Sequence, residues 1–358
     1  MNRIILIFCY IFFCISIVTA QSPYIEKVFD YSPAPGQFVN TMPEYTDGDT
    51  HETMTQKADF AISHNNRSMI CLGGFGGSVT FGFDHEIVNH PGEYDFQILG
   101  NAVLSVNSED GKVGGSSEPG IILVASDENG NGLPDDTWYE IAGSEYYKPE
   151  TKHSYTITYY RTPDNHRPTP DPDNKVLTDT SYIAWKGSDG NTGFIAKNSF
   201  HSQDYYPQWI KSDSIQITGT LLPDNAKWHA DKNMYVLYCY DYGYADNYPN
   251  NSEQSKINID WAVNESGEPA NLSSIKFVKI YTAVNQQCGW IGETSTEVMG
   301  AVDLHIVDAV NILNESDKTT IHAIYNIQGQ QISTPIEHLE HGFYIVSYRN
   351  GTTRKIIR

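Results

Sequence analysis

The sequence predicts an all-β protein: a jelly-roll-like β-sandwich with a long Pro/Asp-rich inserted loop, followed by a small C-terminal β module. Three observations predict it. Short apolar or alternating runs recur throughout, clusters of Gly, Pro, Asn and Asp separate them, and helical periodicity is confined to one segment.

The amino end stands outside that fold. MNRIILIFCYIFFCISIVTAQS carries one cation at Arg3, an apolar run from Ile4 to Val18, and small residues Val18 and Ala20 before Gln21. Residues 1–20 read as a secretory signal peptide rather than a membrane anchor, because the run is short for a span of ~20 residues. Residues 21–302 are expected to form the sandwich. Its one helix falls in THETMTQKADFAISHN, where Met54, Ala58 and Ile62 share a face and Thr50 can cap. SVTFGFD follows with Val79, Phe81 and Phe83 on one side, and EPGIILVAS is a continuous apolar run suited to a buried strand. HSYTITYYR, DSIQITGTLL, NMYVLYCYDYGY and IKFVKIYTAV extend the pattern. TPDNHRPTPDPDNK, residues 162–175, holds four prolines and hardly any apolar residue, so it is a loop. From 303 onward short strands and a turn at Gln328-Gly329 predict a separate module.

The net charge of −21 comes without any basic stripe, which makes nucleic acid a poor partner and suits an exported protein that stays soluble and can bind cations, with solubility alone as the equal alternative. Beyond residue 20 three cysteines remain, Cys71, Cys239 and Cys288, enough for one disulfide at most.

The stretch DENGNGLPDDTW, residues 127–138, is the strongest site signal. Calcium takes six to eight oxygens. Asp127, Asn129 and Asn131 alternate, Gly132 permits a sharp turn, Leu133 can offer its carbonyl, and Asp135 and Asp136 can close the shell. The twelfth position is Trp138 rather than a glutamate, with Glu140 two residues on as a substitute. Strands rather than the two helices of an EF-hand flank it, but three carboxylates within ten residues repel one another unless a cation joins them, so a structural calcium site is expected; the alternative is a metal-free Asx turn.

Aromatic residues mark a candidate binding face. FHSQDYYPQW carries Tyr205, Tyr206 and Trp209, and NMYVLYCYDYGY carries Tyr240, Tyr242 and Tyr244 at every second position. On one strand face such rings line a groove for a sugar or a planar ligand; they serve equally as the outer layer of a sandwich. Trp290, between Gly289 and Gly292, adds a loop aromatic. LGGFGGSVTFGF lacks the Lys-Ser/Thr and helix of a phosphate loop. Neither G-x-S-x-G nor H-E-x-x-H occurs, the histidines show no metal spacing, and His85 and His90 are expected in solvent.

Five blocks together resemble a family of exported Bacteroidetes cell surface proteins: YSPAPGQFVNTMPEY, LGGFGGSVTFGFDHEIVN, EPGIILVASDENGNGLPDDTWYEIAGSEY, YGYADN and IDWAVNESGEPANLSSIKFVKIYTAVNQQCGWIGETSTE. The resemblance covers about residues 28–305. Such proteins often accompany outer-membrane vitamin B12 receptors, so it implies a surface protein without enzymatic activity, with a corrinoid as candidate ligand and an uptake receptor as candidate partner. A glycan- or host-surface-binding module and a carbohydrate-active enzyme stay open as alternatives. IYNIQGQQI and GFYIVSYRNGTTRKIIR resemble the C-terminal sorting module of type IX secretion, which implies delivery to the outer surface or beyond by that machinery.

Overall fold

The computed structural model describes residues 21–107, 111–230, 233–306, 321–326, 331–332, 338–339, 343–348 and 353–357. The expected signal peptide and the Gln328-Gly329 turn lie outside the described residues. The fold is all-β, with every named strand pairing antiparallel.

One compact unit comprises Ser22–Asp308, and the residues from Ala309 belong to another. The division falls beyond 302 because strand Gly300–Asp303 pairs with Phe96–Leu99 and Leu304 N donates to Asp95 O. In the second unit Gln331–Ile332, Ile321–Asn326, Phe343–Tyr348 and Thr353–Ile357 form one sheet in that order.

The larger unit is sandwich-like, layered about a six-stranded sheet ordered Lys27–Ser32, Ser78–Val88, Ser274–Thr282, Gly120–Ala125, Tyr139–Ile141, Ala262–Val263. Alternation sends its side chains to two cores. Ile122, Val124, Val278 and Ile280 meet the helix and Phe96 on one side. Ile121 and Tyr281 face the other, where a four-stranded sheet (Thr192–Asn198, Leu177–Gly187, Lys152–Tyr160, Ser214–Leu221) contributes Tyr155, Ile157, Tyr159, Ile183 and Ile195.

The helix spans His51–Ile62 and buries Met54, Ala58, Ala61 and Ile62. Thr50 and Thr53 form a reciprocal capping box, which contributes about 1 kcal/mol. The Pro/Asp loop lies between Lys152–Tyr160 and Leu177–Gly187 without regular structure, pinned where His166 Nε2 meets Asp179 at 2.6 Å. Cys71, Cys239 and Cys288 are buried free thiols.

Candidate functional site

Where the six- and four-stranded sheets part at one edge, an open cleft of about 800 Å³ remains. Leu123, Glu140 and Tyr281 line it from the first sheet; His153, Ser154, Thr218, Gly219 and Thr220 line it from the second. Trp138, Tyr146, Tyr147 and the loop Asn264–Gly267 complete the rim. Gly219 is required here: a Cβ would stand 2.9 Å from the Tyr281 ring. Its absence lets Tyr281 slide under the edge strand and accept from Thr220 N at 2.8 Å. Tyr147, an exposed ring, donates its hydroxyl to Gly267 O at 2.8 Å and so ties the two sides of the rim.

Glu140 is the chemically distinctive group. Register places it opposite Leu123 and Val263. Its Oε2 accepts from Thr220 Oγ1 at 2.7 Å, while Oε1 is shielded from solvent and has no hydrogen-bond partner. Burial pushes its carboxyl up to about 7, against the Thr220 hydrogen bond, which lowers it. His153 stands behind the pair, with Nε2 3.1 Å from Tyr146 O and Nδ1 3.5 Å from Thr220 Oγ1. A carbonyl only accepts, so Nε2 carries a proton toward Tyr146 O; the single hydroxyl proton of Thr220 goes to Glu140, so the 3.5 Å approach of Nδ1 is not a second bond donated by that hydroxyl. The arrangement presents a neutral or ionised carboxyl, as a ligand requires, beside the Trp138 and Tyr147 rings.

The oxygen-rich loop leads directly into this cleft. Gly132, at φ 73°, donates its N–H to both Asp127 oxygens at 3.2 and 3.1 Å. Asn129 Oδ1 accepts from Asn131 N at 2.9 Å, and Asn131 Oδ1 from Leu133 N at 2.7 Å. The amide of Asn131 meets Asp135 at 3.0 Å, that of Asn129 meets Asp135 at 3.1 Å, and Asp136 Oδ2 accepts from Glu128 N at 3.1 Å. Asn129, Asn131, Asp135 and Asp136 thus meet by their side chains, while Asp127 turns to Gly132 N and Lys276. Three observations weaken the expected shell. Glu140 faces Thr220 in the cleft and does not close the loop. Lys276 Nζ lies 2.8 Å from Asp127 Oδ2 and holds that carboxyl below its usual range, relieving part of the repulsion a metal would relieve. Among the described residues, Asp127, Asp135 and Asp136 do not bring one oxygen each within 4.8 Å of one another.

The expected tyrosine groove is corrected. Regular strand ends at Tyr238, so Tyr240, Tyr242 and Tyr244 lie in a turn and do not share a face. Tyr240 and Tyr244 are buried; Tyr244 Oη accepts from Glu145 N at 2.9 Å. Tyr205, Tyr206 and Trp209 are buried too, with Tyr206 Oη donating to Ser212 O and Trp209 stacked between Tyr31 and Tyr45. Rings enclosed in this way offer no face to a ligand. Tyr242 is exposed and packs on Trp261; Trp290 is exposed beside Phe200, and neither lines the cleft.

A buried acidic centre has no counterpart in the sequence reading. Glu118, Asp246 and Glu297 bring one oxygen each within 4.8 Å of one another. Asp246 accepts from the backbone of Asn101, Ala102 and Glu297 at 2.7, 2.9 and 3.0 Å. Burial pushes Glu118 up to about 7 and Glu293, nearby in sequence, to about 8. EPG, YADN and GETSTE, each within a quoted block, meet here and knit three loops together. With 44 acidic residues in the chain, nothing local distinguishes these.

A scan against protein-family models gives no match for this chain, and a search of curated proteins gives none either.

Proposed function

We propose that the chain is an exported ligand-binding protein without catalytic turnover, which seats its ligand in the Glu140 cleft and is braced by calcium in the loop before Trp138. One observation carries the reading: Glu140 Oε1, shielded and unpartnered, in the wall of a cleft rimmed by Trp138, Tyr146 and Tyr147. Leaving such an oxygen unpaired costs about 1–3 kcal/mol, which a ligand N–H or O–H recovers by displacing the groups that now shield it. Tyr147, which is exposed, and Trp138, partly open to solvent, offer flat apolar faces beside it, over the buried Tyr146. A corrinoid supplies a planar ring edged with amide donors, and the family resemblance favours it. A glycan is the second reading, favoured by a carboxyl next to aromatic faces. Export rests on the signal peptide expected at residues 1–20 and on the resemblance of the C-terminal residues to a type IX sorting module.

The test is calorimetric titration of the mature chain in calcium buffer with cyanocobalamin, then with a glycan panel assayed in parallel for hydrolysis. Corrinoid binding without turnover supports the first reading. Glycan binding moves the ligand class, and glycan hydrolysis overturns the non-enzymatic one. Separately, removing the residues from 309 onward should retain the protein in the periplasm.

A further inference from the structure

A second site lies outside the cleft, where the loop following Ser78–Val88 meets the residues after Gly300–Asp303. The two strands Phe96–Leu99 and Gly300–Asp303 pair with Asp303 opposite Phe96. That register carries the chain on so that Leu304 N donates to Asp95 O at 2.9 Å and His305 arrives beside Asp95. Asp95 is buried, while His90 and His305 are partly open to solvent.

The carboxylate of Asp95 already has its hydrogen bonds. Oδ1 accepts from His90 N at 2.8 Å and Oδ2 from Ile259 N at 2.8 Å. The two imidazoles are therefore not needed to satisfy it, and neither is hydrogen-bonded to it: His305 Nε2 and His90 Nδ1 stand 3.4 and 3.6 Å from Oδ1. These separations are those of neighbouring ligands on a tetrahedral ion, which at bond lengths of ~2.1 Å lie ~3.4 Å apart. One nitrogen from each ring and one Asp95 oxygen all fall within 4.8 Å of one another. The rings lie with centroids 3.7 Å apart, closer than two imidazoles on one tetrahedral ion, so joint coordination has the solvent-facing His305 ring swing away from His90. His90 Nδ1 also stands 3.0 Å from Val88 O, and binding an ion through Nδ1 gives up donation to that carbonyl and places the ring proton on Nε2.

We infer that His90, Asp95 and His305 form a binding site for a late first-row divalent metal ion, zinc by its ligand set, with water completing the coordination. Two imidazole nitrogens and one carboxylate suit zinc and disfavour calcium, which takes oxygen ligands. The ion clamps His305 to the loop of His90, close to where the Ser22–Asp308 unit ends. This site is independent of the cleft and of the calcium loop.

The mature chain, saturated with calcium, is titrated with Zn2+, and Co2+ is used as a spectroscopic probe. We expect one Zn2+ per chain, raised thermal stability, and visible cobalt bands of a four-coordinate site. His90→Ala and His305→Ala should each weaken that site by at least tenfold and abolish the thermal shift and the cobalt bands. Neither ring is a core residue, and unchanged metal-free melting of both variants would show that they fold. Zinc uptake equal in wild type and in the double variant, or no uptake by wild type, would overturn the assignment.

Discussion

Thr220 Oγ1 lies 2.7 Å from Glu140 Oε2 and 3.5 Å from His153 Nδ1, so one hydroxyl joins the six-stranded sheet to the four-stranded sheet at the wall of the cleft. Thr220→Val keeps the shape and removes the hydroxyl, leaving both Glu140 oxygens without a partner. Urea denaturation should show a loss of about 1–3 kcal/mol, with Thr220→Ser close to wild type. Equal stability of the Val and Ser variants would mean that the link is incidental.

Stability should fall as pH rises from about 4.5 to about 8. Glu118 and Glu140 are pushed up to about 7 and Glu293 to about 8 by burial, from an ordinary value of 4.5. The folded chain keeps these protons in a window where the unfolded chain has lost them, so each fully buried group removes about 1.4 kcal/mol per pH unit until its folded pKa is passed. His85 acts in the same direction: burial lowers it, but hydrogen bonds to Asp303 and Asp84 outweigh that and raise it. Denaturation midpoints that increase across this window would contradict the account, and Glu293→Gln should flatten the slope.

Calcium in the loop should raise the melting temperature, by an amount worth about 2.7 kcal/mol at a hundredfold excess over Kd. Chelator should reverse the shift, and Asp127→Ala should remove it by deleting the residue that organises Gly132. A chelator-insensitive melt would make Lys276 and the asparagine amides sufficient for the loop on their own.

The correction of the tyrosine row is itself measurable. Tyr244 is buried, and its hydroxyl caps Glu145 N, whereas Tyr242 is 40% exposed. Tyr244→Ala should cost about 3–5 kcal/mol and Tyr242→Ala much less. Similar losses would restore the shared strand face.

Local signals carried the parts of the fold that depend on local physics. Thr50, Met54, Ala58 and Ile62 specify the helix, and the runs around Val79, Ile122 and Ile280 specify central strands. The tyrosine row failed because Gly243, at φ 90°, turns the chain where period-two alternation assumes extension. His85, expected in solvent, is buried between Asp84 and Asp303. Glu140 was legible only as a spare loop ligand, because its partner Thr220 lies 80 residues away. His90 and His305, 215 positions apart by their numbers, meet only through the pairing of Phe96–Leu99 with Gly300–Asp303.

The most direct test of the cleft is the titration with cyanocobalamin repeated on Tyr147→Ala and Glu140→Gln, beside Trp290→Ala as an exposed aromatic outside the cleft. The account predicts that wild type and Trp290→Ala bind alike and that both cleft variants bind at least tenfold more weakly with their folding intact. Binding that survives both cleft substitutions, or that is lost only with Trp290, would contradict it.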